Sequence, residues 1–311
     1  MASVSVVMAT FNRASYIEEA LDSLARQGRP SLEVVVVDDA STDDTRARVE
    51  RHGLGSRIRY RLQPANQGAS VARNVGVEMA RGDVIVFLDS DDILEPSHHA
   101  VMLEVMRSSP SVGLFSCDAR MIDPSGQPLD SRTYTEIQSA IKGWCLSTGR
   151  RSLADIFRFS TSFPGMAVRR DVYLRLGGLD QALFPLDDYD LQLRVAGAGY
   201  AVHYEHQTLA RYRVHGANES GPARGVRVGR QKLRCVQQAW ARYPDLDAVA
   251  HVARRRLGEV KRELALSLLK DGGYREGAAL LCRSLAEDPA GWADLLRIAG
   301  RRVRRWGGTP P

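Results

Sequence analysis

Apolar residues open the chain as a short run, Val4 to Met8, of the kind that forms a buried strand. After a polar stretch, Ile17, Ala20, Leu21 and Leu24 recur at the spacing of one helix face. Ser15 with Glu18 three residues on predicts a capping box where that helix starts, and Gly28 predicts its end. Glu33 to Val37 is a β-branched run without polar alternation, as expected of a strand covered on both faces. Ser41 or Thr42 is placed to cap a short helix after it. Arg57 to Leu62 alternates, which predicts a more exposed strand. Val71, Val75 and Met79 then share a helical stripe that Gly82 ends, and Asp83 to Leu88 is another buried strand.

Strand and helix thus alternate with short links, the pattern of an α/β fold with a Rossmann-like, mostly parallel sheet flanked by helices. Ligands in such sheets bind beyond the carboxyl ends of the strands. Asp38 and Asp39 stand at one of those ends, and Asp89 and Asp91 at another. Two acidic clusters are therefore expected on one edge.

From Pro110 to about Gly165 the pattern weakens, and loops, short strands and an acceptor-facing surface are expected there. Order returns from Met166 to Gly199, with a strand-like segment and then a helix beginning near Asp187, whose Leu186, Tyr189, Leu193 and Ala196 share a face. GPARGVRVG, 221–229, reads as a linker between a domain at 1–220 and a helical extension at 221–311. In that extension Leu264, Leu268, Leu280, Leu285 and Leu295 keep helical spacing. At its end Trp292, Leu295, Ala299, Val303 and Trp306 line one face of an arginine-rich helix, which suits either packing or a membrane surface.

Charge sharpens the division. The formal net charge is +6, yet residues 222–311 hold 19 Lys/Arg against 9 Asp/Glu, so the rest of the chain is slightly acidic. The tail has no aromatic-interleaved RNA motif and no zinc-finger spacing, so no nucleic-acid partner is expected; peripheral contact with an anionic membrane surface stays open. Four cysteines, Cys117, Cys145, Cys235 and Cys282, form no C-x-x-C pair and read as reduced thiols. No signal peptide is recognised at the N-terminus, and no apolar run is long enough to cross a bilayer. A cytoplasmic protein, or one attached to the inner face of a membrane, is expected.

FLDSDD, Phe87 to Asp92, carries the strongest chemical signal. Carboxylates two residues apart at a strand end offer hard oxygen ligands to Mg²⁺ or Mn²⁺, which can neutralise a departing diphosphate. An isolated D-x-D can equally cap a turn or the helix near Pro96. The apolar strand before it and the paired Asp38–Asp39 on an earlier strand end favour the metal.

Four blocks in order resemble the family 2 glycosyltransferases of GT-A fold, over roughly Val4 to Ser220: SVVMATFNR (3–13), VVVVDDASTDDT (34–45), NQGASVARNVGVEMARGDVIVFLDSDD (66–92) and GGLDQALFPLDDYDLQLRVAGAGY (177–200). RYRVHGANES (211–220) is similar to the family's ending. The resemblance implies a metal-dependent, inverting transfer of a sugar from a nucleoside diphosphate, UDP by analogy, to a hydroxyl of a saccharide, lipid-linked or other acceptor, in polysaccharide, glycolipid or glycoconjugate assembly. It implies that Thr10, Phe11 and Asn12 approach the nucleotide, that Asp39 reads the base, and that Arg73 faces the nucleotide or diphosphate. Asp89 and Asp91 match the motif for metal and ribose-phosphate, with Ser90 between them on the donor side and Asp91 the preferred ligand; Asp92 is a weaker candidate. Asp188 matches the catalytic base, beside Asp187, where relatives usually carry Glu. His215 is a further metal-ligand candidate, although a lone histidine is more often a structural hydrogen-bonder. Asp38 reads as structural, and Asp190 as the partner of Arg194 on the helix surface. Tyr134 and Trp144 are candidates to stack on an acceptor sugar, with a core role equally open. A sugar-nucleotide pyrophosphorylase would want a glycine-rich loop after the first strand, and ATFNR has no glycine. A non-catalytic sugar- or partner-binding scaffold would have no use for the acids.

Overall fold

The computed structural model describes residues 2–142, 146–160, 164–218, 225–243, 247–288 and 291–292. Two compact units divide the chain, 1–218 and 219–311. The first begins with β1 (Val4–Thr10), α1 (Ile17–Ala25), β2 (Glu33–Asp38), α2 (Thr45–Arg51), β3 (Ile58–Leu62), α3 (Ala69–Met79) and β4 (Val84–Phe87). It continues with β5 (Ile93–Leu94), α4 (His98–Ser108), β6 (Val112–Ile122), α5 (Tyr134–Lys142), β7 (Gly149–Arg151) and α6 (Leu153–Arg158). It ends with β8 (Ala167–Arg169), α7 (Arg170–Arg175), α8 (Asp187–Gly197) and β9 (Ala201–Arg213). The second unit holds α9 (Gly225–Arg242), α10 (Asp247–Lys270) and α11 (Tyr274–Glu287).

One nine-stranded sheet runs β3-β2-β1-β4-β8-β6-β9-β5, with β7 on β9. β1 pairs in parallel with β2 and β4, and β2 with β3, as the alternating pattern predicts. The other half is mixed: β8 runs antiparallel to β4 and β6, while β6 and β9 pair in parallel. The order 3-2-1-4 means that the chain leaves β1 toward β2 and later returns to its opposite side with β4. The carboxyl end of β1 is thus the point where strand order reverses, and a crevice opens there. β1, β2 and β4 are buried along their whole length, which is why their sequences show no polar alternation.

Several expectations are corrected. Ser15 does not cap α1: Tyr16 is the N-cap and makes no side-chain capping bond. Glu18 pairs instead with Arg48 of α2, at 2.5 Å. Neither Ser41 nor Thr42 caps α2, which starts at Thr45; Ser41 Oγ accepts from Asn12 N and Thr42 N donates to Asn12 Oδ1, both at 2.8 Å. On α3 the buried positions are Ser70, Ala72, Arg73, Gly76 and Val77, and Val71, Val75 and Met79 are only half-buried. The weak stretch after Pro110 contains the eleven-residue β6, mostly buried and therefore without alternation. Residues 225–229 begin α9 and are not linker; 221–224 lie outside the described residues. So do Cys145, Trp144 and the arginine-rich segment from 293 onward. Cys117 and Cys235 are buried free thiols and Cys282 is an exposed one. Among the described residues no helix is long and apolar enough to cross a membrane.

Gly76 lets α3 close on the sheet. A Cβ there would lie 3.4 Å from Val37 Cγ2 and collide with Val7 Cγ1. Overpacking a tight contact of this kind costs about 1–3 kcal/mol. Gly76→Val is therefore expected to lower unfolding stability by about 2 kcal/mol, read as a lower denaturant midpoint at unchanged slope. A midpoint equal to wild type would show that α3 does not need the close approach.

Candidate functional site

Three loops meet at the crevice. The first follows β1, whose last residue, Thr10, is 3% exposed, and begins at Phe11, which is 40% exposed. Asn12 takes a left-handed backbone (φ 51°), and its side chain is spent on Thr42 in the neighbouring loop. The second follows β2. Asp38 is fully buried and accepts hydrogen bonds from Tyr60 Oη and Ser41 N, both at 2.7 Å, so each of its carboxylate oxygens is engaged within the protein. Asp39 accepts from Gln63 Nε2 (2.7 Å), Gln67 N (2.8 Å) and Gly68 N (2.7 Å), which fastens it to the loop that leads into α3. An ionised carboxylate has about four lone-pair sites, so about one is left for a ligand.

The third loop follows β4 and carries the acids. Oxygen atoms of Asp89, Asp91 and Asp92 lie within 4.8 Å of one another. Ser90, between them, is 3% exposed. Asp91 Oδ2 accepts from Arg13 Nε at 3.0 Å and meets His215 Nε2 at 2.9 Å. His215 Nδ1 accepts from Ala217 N at 3.2 Å, which leaves the ring proton on Nε2 and makes it the donor to Asp91. Tyr16 stacks on the His215 ring with centroids 5.3 Å apart. Arg213 sits over Tyr16 at 5.0 Å, donates its Nε to Asp91 O at 2.8 Å, and donates its backbone N to Asp92 Oδ1 at 2.8 Å. The other Asp92 oxygen is buried and has no hydrogen-bond partner among the described residues.

These surroundings push the acids apart electrostatically. Burial raises the Asp91 pKa, but the hydrogen bonds from His215 and Arg13 outweigh it and hold the carboxyl below its ordinary value. Burial, with the neighbouring Asp91 and Asp89 charges, pushes Asp92 well up. Asp89 is raised by burial against the pull of Arg73. Three hard oxygen donors that repel one another, one of them an orphaned buried oxygen, fit a divalent cation of the Mg²⁺ or Mn²⁺ type.

Arg73 ties this cluster to the acids of α8. Its Nη2 donates to Asp89 Oδ1 at 2.6 Å and its Nη1 lies 3.6 Å from Asp187 Oδ2. Ser70 Oγ also donates to Asp187 Oδ2, at 2.7 Å, so Asp187 is engaged by α3 from two positions. Asp188 is in the first turn of α8 and is half-buried. Burial, then the adjacent Asp187 charge, pushes its carboxyl up to about 7, in spite of Arg73. Burial and the Asp188 charge likewise push the Tyr134 phenol up to about 12, which places that ring in the electrostatic reach of Asp188; Tyr134 also packs edge-on to Tyr212 at 6.4 Å. Asp190 does pair with Arg194, at 2.6 Å, but both are buried and not on the helix surface: Arg194 also donates to Leu176 O and Gly178 O and staples the preceding turn.

Every sequence-predicted site residue except Trp144 is therefore described. Asp89, Asp91 and Asp92 come together, His215 and Arg13 meet at Asp91, and Arg73 joins Asp187 to Asp89. Arg13, Tyr16, Ser70 and Arg213 were not singled out by the sequence reading. For Arg213 a signal existed: it stands two residues from Arg211 in β9, so the strand period puts both on one side.

Comparison with known proteins agrees with this geometry. A family model described as glycosyl transferase family 2 matches residues 5–174. The putative teichuronic acid biosynthesis glycosyltransferase TuaG of Bacillus subtilis is 36% identical over 255 residues, 78% of this chain and 88% of that protein. An uncharacterized glycosyltransferase of Haemophilus influenzae is 29% identical over 192 residues, 62% of this chain, and the match spans only 61% of that relative's length. Two solved structures share the GT-A type fold. S. aureus TarS (residues 1–349) with UDP-GlcNAc has a TM-score of 0.65 and 18% identity, over 92% of this chain and 88% of that one. The mannosyltransferase PcManGT of Pyrobaculum calidifontis with GDP-Man and Mn²⁺ has a TM-score of 0.64 and 22% identity, over 92% and 80%. By the extent of the family match and the likeness to TuaG, this chain belongs to glycosyl transferase family 2.

Proposed function

We propose that the protein transfers a sugar from a nucleoside diphosphate, UDP in the first instance, to an acceptor hydroxyl with inversion at the anomeric carbon. The observation that carries this reading is the single guanidinium of Arg73 between Asp89 and Asp187, which brings a three-carboxylate cluster and the acids of α8 into one site. The nucleotide sugars bound by TarS and PcManGT, in relatives of the same fold, support the donor class. The name of TuaG supports a glycan acceptor.

In this reading Asp89, Asp91 and Asp92 hold Mn²⁺ or Mg²⁺, with His215 orienting Asp91 through Nε2–H instead of ligating. When bound, the ion supplies positive charge against the diphosphate leaving group. Thr10, Phe11 and Asn12 line the nucleotide side, where Asn12 acts by fixing the loop that carries Asp39. The open lone pair of Asp39 accepts the imide N–H of a uracil. Asp188 removes the proton from the acceptor hydroxyl as its oxygen attacks the anomeric carbon from the face opposite the diphosphate. The glycosidic C–O bond to phosphate breaks, and its electron pair leaves with the nucleoside diphosphate. Arg73 and Ser70 hold Asp187 in place beside the base.

A screen of UDP-, GDP- and dTDP-sugars, with and without chelator, tests the reading. Metal-dependent donor turnover is expected, and its absence with every donor would end the proposal. Asp188→Asn is expected to lose about 10²–10⁴-fold in kcat with donor affinity little changed, as read by titration calorimetry; near-normal turnover would remove Asp188 as the base. Asp91→Asn is expected to weaken Mn²⁺ binding by at least about tenfold, measured by electron paramagnetic resonance of free Mn²⁺, whereas unaltered binding would place the ion elsewhere. Asp188, raised to about 7, stays protonated at pH values where an ordinary aspartate is ionised. The base form therefore accumulates as pH rises, and log kcat/KM should climb with unit slope below about pH 7 and level off above it. A profile flat from pH 5 to 8 would contradict that assignment.

A further inference from the structure

The first unit holds an aromatic side chain that the chemistry above does not use. Tyr134, the first residue of α5, is half-buried, and its hydroxyl makes no hydrogen bond to any described residue. Its neighbours on both sides are tied down. Thr133 Oγ1 donates to Asp118 Oδ2 at 2.5 Å and Thr135 N donates to Asp118 Oδ1 at 3.0 Å, and Asp118 is wholly buried on β6. Tyr204 Oη of β9 donates to Thr135 Oγ1 at 2.8 Å. The backbone around Tyr134 is thus held from two strands. The ring packs partly on the core and meets Tyr212 edge-on at 6.4 Å. Tyr212 Oη accepts from Asn218 Nδ2 at 3.4 Å, and Asn218 Oδ1 accepts from His215 N. The Tyr134 ring therefore stands beside the turn that brings His215 to Asp91, and it is also within electrostatic reach of Asp188.

An aromatic ring anchored in this way needs little further ordering when a ligand packs on it. Its face carries partial negative charge, which suits the polarised C–H bonds on one face of a pyranose, and its unbonded hydroxyl can donate to or accept from the hydroxyls of the sugar. Hydrocarbon laid in the same place would strip water from that hydroxyl and from Asp188 and return no hydrogen bond to either. An open-chain polyol would offer hydroxyls without the ring face. Given the transfer reaction proposed above, on which this rests, we propose that Tyr134 is the platform of an acceptor subsite. It stacks on the pyranose whose hydroxyl Asp188 deprotonates, so the acceptor is a saccharide.

Saturation-transfer NMR of the full chain with Mn²⁺ and UDP is the test. Its probes are the methyl β-glycosides of glucose, galactose, mannose, N-acetylglucosamine and glucuronic acid, with glycerol as the ringless polyol. At least one glycoside is expected to bind, with saturation from aromatic protons strongest at the C–H groups of one ring face. Tyr134→Leu should lose about fivefold or more in affinity for that glycoside, whereas Tyr134→Phe, which keeps the ring, should keep the one-faced pattern. Affinity for UDP with Mn²⁺, measured by calorimetry, is expected to be equal in the wild type and both variants. Should Tyr134→Leu not fold, wild type with ring-deuterated tyrosine replaces it, and the one-faced transfer should disappear. The subsite is overturned if no glycoside binds better than glycerol while UDP still binds, or if Tyr134→Leu binds the glycoside as wild type does. It also falls if that variant loses UDP as heavily as the glycoside, which marks a purely structural ring. No UDP binding by the wild type would instead remove the transfer reaction itself, and the subsite's role with it.

Discussion

Five carboxylates, Asp89, Asp91, Asp92, Asp187 and Asp188, are gathered at one edge of the sheet, and their mutual repulsion is the constraint around which the site is built. Arg73 is the counterweight. Burial lowers the pKa of its guanidinium, but the Asp89 and Asp187 charges outweigh that and keep it protonated. Removing one partner from such a buried pairing typically costs about 3–5 kcal/mol, because the other charge is left uncompensated. The positions of the acids on two separate elements, the loop after β4 and the start of α8, are thereby set by one residue of α3. α3 can reach them because Gly76 and Ala72 let it lie close against β1 and β2.

The same economy of contacts holds the loops. Asn12 and Ala40 are the two non-glycine residues with positive φ among those described, at 51° and 68°. Such backbone costs about 1–2 kcal/mol per residue without local compensation. Both lie in the loops after β1 and β2, and hydrogen bonds among Asn12, Ser41 and Thr42 cross between those loops. The turns they enforce direct Asp39 toward the amides of Gln67 and Gly68. On the opposite side Arg213 gathers Asp91, Asp92, Glu19 and Tyr16 around the end of β9. Strain and buried charge are concentrated where the ligand is proposed to bind, the distribution expected of a preorganised site.

Much of this was legible from the chain. Apolar runs without alternation, as at Val34 to Val37, marked strands buried on both faces, and the acids at their ends marked the edge where the candidate site lies. What escaped did so for physical reasons. β6 was hidden because SCDA in its middle is polar and small yet wholly buried, Asp118 being satisfied by Thr133 and Thr135 from a distant helix start. The buried face of α3 was misjudged because a charged residue, Arg73, and a glycine occupy it, where periodicity looks for aliphatic side chains. Ser15 and Glu18 satisfied a local capping rule but were drawn away, Glu18 by Arg48. Arg13 and Arg213 act across 78 and 122 residues of sequence, a separation that no local pattern encodes.

The proposed chemistry requires that one ion-binding cluster and one base face each other across a shared site. Anomalous diffraction from crystals soaked with Mn²⁺ and UDP tests it most directly. A single strong peak is expected about 2.0–2.3 Å from carboxylate oxygens of the Asp89–Asp91–Asp92 cluster, with the diphosphate between that peak and Asp188. A peak coordinated elsewhere, or UDP seated away from Asp188, would contradict it.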